Sequence, residues 1–127
     1  MTGLSSRIGD PDQGSALSGA IPSALFPARA RFRDLIMQRI IALESFRIDF
    51  QNGRDPRAAL GGVISLAHMI AGVAETLGYP NAGNLAAALE LHARDGLERN
   101  RPAPEIWHRM EPQLIALMDE LESLLDQ

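Results

Sequence analysis

From about Ala28 onward, large apolar residues recur at steps of three and four, the spacing that gathers them onto one stripe of an α-helix. Phe32, Leu35, Ile36, Ile40, Leu43 and Phe46 make the first stripe, which closes near Asn52-Gly53. Asp55-Pro56 predicts the next start, because aspartate caps free backbone amides and proline at the first helical position loses no hydrogen bond. In this second helix Leu60, Val63, Ala67, Ile70, Ala74 and Leu77 alternate steps of three and four, a seam suited to bundle packing. Gly78-Tyr79-Pro80 ends it, since glycine accepts the left-handed cap and proline cannot continue the helix. A third helix, from about Ala82 to Ala93, places Leu85, Ala88, Leu89 and His92 on one side, with Asp95-Gly96 as its stop and alanines that permit close approach. After a polar loop through Pro104, the fourth carries Ile106, Met110, Leu114, Leu117, Leu121 and Leu124 on one stripe, with acidic residues opposite and Pro112 expected to kink its first turns. Four amphipathic helices on short loops predict an all-α, antiparallel up-and-down four-helix bundle over residues 28–127.

Residues 1–27 lack this pattern and are rich in Gly, Ser and Pro, so they are expected to form a flexible N-terminal arm. The 127 residues are 46% hydrophobic, enough for one core without metal or disulfide support. No cysteine is present, which excludes thiolate nucleophiles and Cys-based metal sites. The net charge of -4 with scattered basic residues argues against a nucleic-acid surface. No apolar run is expected to approach the roughly 20 residues of a membrane span, and no basic start precedes an apolar stretch. These features predict a cytoplasmic protein whose partner is a protein or a small molecule rather than nucleic acid; a monomer without cofactor or metal is expected.

The candidate chemistry lies at His68. With 100° per residue, its side chain points roughly 130° away from the apolar seam of the second helix, toward solvent. Gly61, Ser65 and Gly72 are its neighbours on that face, so the ring is cleared of bulk. Gly61, Gly62 and Gly72 each cost up to about 1 kcal/mol relative to alanine inside a helix, so helix stability is not what places them there. Either another helix comes close or a bulky partner must reach His68, and Gly72, facing outward, suits the second. Ile64 and Ala71 flank the ring and are expected to form a modest apolar patch for docking. Histidine suits reversible phosphoryl carriage, because its neutral ring nitrogen is nucleophilic near physiological pH and the partner can bring the metal ion and acidic pocket. His92 and His108 sit on other helices and read as structural or incidental. A three-histidine metal site is disfavoured by the outward direction of His68.

The run Ala67-His68-Met69-Ile70-Ala71-Gly72-Val73-Ala74-Glu75-Thr76-Leu77-Gly78-Tyr79-Pro80 resembles the signature helix of histidine-containing phosphotransfer (HPt) domains, and Asn84-Leu85-Ala86-Ala87-Ala88-Leu89-Glu90 is similar to the family's next helix. The resemblance implies a four-helix phosphoryl carrier without turnover of its own. His68 would take the phosphoryl group from a receiver-domain aspartate and pass it to another, with Gly72 matching the family's glycine four residues on. Response-regulator receiver domains, and a hybrid histidine kinase, are the implied partners. Ile64, Ser65, Ala71, Gly72 and Glu75 are the expected contacts. Ala71 stands where many members have lysine, and Glu75 where the residue is usually small. These two departures support a second reading, a bundle of the same fold that binds a receiver or kinase as a stoichiometric regulator without transferring phosphate.

Overall fold

The computed structural model describes residues 23–126. A 3₁₀ turn, Ser23–Leu25, leads into α1 (Phe26–Gln51), followed by α2 (Pro56–Leu77), α3 (Pro80–Glu98) and α4 (Ala103–Leu124). No strand occurs among the described residues. Each helix packs on its neighbour in the chain and α1 closes against α4, which makes the four-helix bundle that the periodicity predicts. The expected arm lies outside the described residues as far as residue 22. Its last residues belong to the bundle, because Pro27 sits in the first turn of α1, where a fixed φ suits the helix.

The caps follow local chemistry. Asp55, at φ 30°, accepts a hydrogen bond from the Ala58 amide at 3.2 Å. Gly78 takes φ 86°, and the Tyr79 amide behind it donates to the Ala74 carbonyl at 2.8 Å, which closes α2. Only two residues then separate α2 from α3, so the pair must be antiparallel neighbours.

The end of α3 differs from expectation. Asp95-Gly96 does not stop the helix, which runs on to Glu98. Gly96 is a packing residue: a Cβ there would lie 2.7 Å from Cγ1 of the fully buried Ile106 on α4. The left-handed residue that ends the helix is Asn100, at φ 56°, with the Arg101 amide donating to the Gly96 carbonyl at 3.0 Å. Pro112 lies on the exposed side of α4, and the helix continues through it.

All six seam positions of α2 and all six stripe positions of α4 are buried, and Trp107 joins them. In α1 the buried seam is narrower, Phe32, Ile36, Ile40 and Leu43, while Leu35 is 38% exposed. Leu35 is one residue, hence 100°, off that seam, and the same displacement from Leu89 leaves Ala88 exposed on α3. Two stacked aromatic pairs tie the ends of the bundle: Phe32 on Tyr79 at 5.5 Å and Phe50 on Trp107 at 4.5 Å. Gly62 is explained by close approach, since a Cβ there would collide with the Phe46 ring from α1. Gly61 and Gly72 face open space.

One expectation is corrected. α2 spans 22 residues and contains an 18-residue window with a mean hydropathy of 1.5, so among the described residues one helix is, by length and composition alone, long and apolar enough to cross a membrane. Its leucine, isoleucine and valine residues raise the hydropathy, and its apolar seam is occupied by contacts to the other helices.

Packing separates two glycine substitutions. Gly96→Ala is expected to lower stability by about 1–2 kcal/mol, because the methyl meets Ile106 in a filled core. Gly72→Ala, in open space within a helix, is expected to raise it by about 0.5–1 kcal/mol. Urea unfolding of both variants checks the opposite signs.

Candidate functional site

His68 sits mid-way along α2, four residues after the buried Ile64 and one after the fully buried Ala67, so the backbone beneath it is anchored while its ring stands clear. The imidazole side chain is 72% exposed. One ring nitrogen is nevertheless held: Nδ1 lies 2.9 Å from Oε2 and 3.1 Å from Oε1 of Glu90 on α3. An ionised carboxylate has no proton to offer, so Nδ1–H donates, and in the neutral ring the lone pair is then on Nε2. Among the described residues, none hydrogen-bonds Nε2. Glu90 in turn accepts from Nε of Arg94, one turn further along α3, at 2.7 Å.

Glu90 is largely enclosed, with 16% of its side chain exposed. Burial pushes its carboxyl up, but the hydrogen bonds from Arg94 and His68, with their charges, outweigh that and hold it below the usual 4.5. Glu90 is thus ionised through the neutral range and available as an acceptor for the ring.

Two depressions flank the imidazole. Toward α3 lies a cleft of about 720 Å³ with a floor of small residues, Ala71, Gly72, Gly83 and Ala87, and with Glu75 and Glu90 on its rim. Toward α1 lies a groove of about 730 Å³ in which Leu35, Met69 and Val73 expose apolar surface and Arg31 and Arg39 supply charge. Neither arginine is in an ion pair among the described residues.

The expected contacts divide. Ser65, Gly72 and Glu75 are exposed around His68, and Ala71 is half-buried in the cleft floor. Ile64 is corrected: at 5% exposure it belongs to the core, because α2 is covered by both α1 and α3 and buries a wider stripe than one seam. The exposed apolar surface near the ring comes instead from Leu35, Met69 and Val73. Sequence reasoning missed Glu90 and Arg94, whose i, i+4 spacing was visible but whose position opposite His68 depends on the α2–α3 register. His92 bridges α3 and α4 through Gln113 Oε1 at 2.6 Å, and His108 lies exposed on α4. No cluster of three or more metal-ligating side chains occurs among the described residues.

The family model of the Hpt domain matches residues 28–127, all of the bundle but the first two residues of α1. The chain belongs to the Hpt domain family. Neither a curated protein nor a solved structure matches it. Membership of the Hpt family carries histidine phosphotransfer in two-component phosphorelays, in which Hpt domains act as phosphocarrier modules that interact with receiver domains and histidine kinases.

The Glu90 shift fixes a pH dependence. A carboxyl held below its unfolded value contributes stability above pH 4.5, and that contribution is lost as pH falls through the lower folded value. Side-chain carboxyl NMR is expected to show Glu90 titrating below 4.5. The stability difference between wild type and Glu90→Gln is expected to shrink over the same acid window.

Proposed function

We propose that His68 is the phosphorylated residue of a phosphorelay carrier, accepting a phosphoryl group on Nε2 from a receiver aspartate and passing it to another. The observation that carries this reading is the division of labour on the ring: Nδ1 is tied to Glu90 while Nε2 is open to a partner. In the transfer the Nε2 lone pair attacks phosphorus, the N–P bond forms, and the P–O bond to the aspartate breaks, returning a carboxylate to the receiver. The ring becomes positive as its lone pair is used, and the Glu90 carboxylate, already hydrogen-bonded to Nδ1–H, offsets that charge. The reverse step releases the phosphoryl group to a second aspartate. The receiver supplies the metal ion and acidic pocket, so the carrier needs only an oriented nucleophile and a docking face.

The α1–α2 groove supports the docking role. Leu35, Met69 and Val73 offer an apolar patch beside the ring, and Arg31 and Arg39 complement an acidic receiver surface. Ser65, Ala71, Gly72 and Glu75 form the contacts on the other flank, with Gly72 as clearance where a Cβ would occupy the partner's approach. We read the protein as a cytoplasmic monomer. Ala71 leaves no lysine beside the phosphoryl group and Glu75 adds a negative charge on the cleft rim, which favours the stoichiometric regulator as the second reading.

Incubation with phosphorylated receiver domains, following acid-labile phosphate, tests both. Wild type is expected to label and His68→Gln to lose all label. Binding without label would establish the regulator instead. Val73→Asp is expected to weaken receiver binding by on the order of tenfold, as a charge placed in an apolar contact does. An unchanged Kd would remove the α1–α2 groove from the docking face.

A further inference from the structure

We propose that Arg94 is a positioning residue for His68: by clamping the Glu90 carboxylate it keeps the ring proton on Nδ1 and the lone pair on Nε2. The inference rests on the reading of His68 as the phosphoryl acceptor. Arg94 touches neither the ring nor an incoming phosphoryl group. It acts through one oxygen, Glu90 Oε2, which lies 2.7 Å from Arg94 Nε and 2.9 Å from His68 Nδ1.

An exposed i, i+4 pair on a helix is ordinarily a surface feature of small consequence. Two observations set this one apart. Glu90 is largely enclosed although both of its partners are exposed, so its burial works against the charged form that the ring needs as acceptor. The same oxygen serves both donors, so the rotamer that satisfies Arg94 is the one that reaches His68. Without the arginine, the carboxylate can turn toward solvent in the α2–α3 cleft and release the ring.

The consequence is chemical. A neutral imidazole without a directing partner prefers its proton on Nε2, the position that must stay bare for attack. Its lone pair would then sit on Nδ1, next to the chain and facing α3. Other charges around the ring do not replace the clamp: Glu75 is two turns along α2, and Arg31 and Arg39 lie across the groove on α1. Ala71 provides no cation on the ring's own helix, so Arg94 is the cationic group linked to the ring by hydrogen bonds.

The test uses the full chain, labelled with 15N, as wild type, Arg94→Ala and Arg94→Lys. At a pH where the ring is neutral, long-range 1H–15N spectra report which nitrogen of His68 bears the proton. Wild type is expected to show Nδ1–H, Arg94→Ala to gain Nε2–H signal, and Arg94→Lys to return toward wild type. Glu90 is expected to titrate at higher pH in Arg94→Ala, because burial then acts without its largest opposing contact. Uptake of phosphate from a phosphorylated receiver is expected to slow by about tenfold, the low end for losing an outer partner of a functional histidine. An unchanged tautomer and an unchanged Glu90 titration in Arg94→Ala would overturn the proposal, even if phosphate uptake fell. The tautomer measurement needs no phosphotransfer. A shifted tautomer in a protein that never takes label would therefore uphold the clamp while removing the carrier reading.

Discussion

The close approach of α2 and α3 is the constraint on which the rest depends. Gly83 of α3 lies against the backbone of Ala71 and Glu75 on α2, and a residue without a side chain there lets the two helices come near. Gly83 marks the limit, since a Cβ there would already touch the Glu75 amide nitrogen at 3.4 Å. Larger residues would push the helices apart. The hydrogen bond between His68 and Glu90 spans that seam and tolerates only a few tenths of an ångström before it is lost. A close helix approach at Gly83 thus bears on what an exposed ring can touch.

The remaining helices hold that pair in place. The short Gly78–Tyr79 connection makes α3 the antiparallel neighbour of α2 and brings Glu90 back to the level of His68. Tyr79 is pinned from the other side by Phe32, with Arg29 of α1 lying over its ring at 4.4 Å. Gly62 admits the Phe46 ring and Gly96 admits Ile106, so both glycines serve helix contact. Gly61 and Gly72 have no such contact and face open space.

Helix existence, the burial of every seam position on α2 and α4, the Asp55 and Gly78 caps and the exposure of His68 were all legible in the chain. Each follows from periodicity or from backbone preference within a few residues, and neither needs to know which helix packs where. The run around His68 was likewise legible as a resemblance, and the family match over residues 28–127 agrees with it. Where local reasoning failed, a neighbour intervened. Gly96 reads as a helix stop until Ile106 occupies the space its missing Cβ leaves, and Ile64 reads as exposed until α1 and α3 both cover α2.

By itself, then, the sequence determined four amphipathic helices, their order, and a histidine turned away from the core, because those depend on spacing along one chain. Tertiary structure alone decided what that histidine touches. Glu90 is twenty-two residues from His68, and a carboxylate on a helix carries no mark of the ring it will meet. The angle, register and separation of two helices bring them to 2.9 Å, and these come from the packing of side chains that are not themselves part of the site.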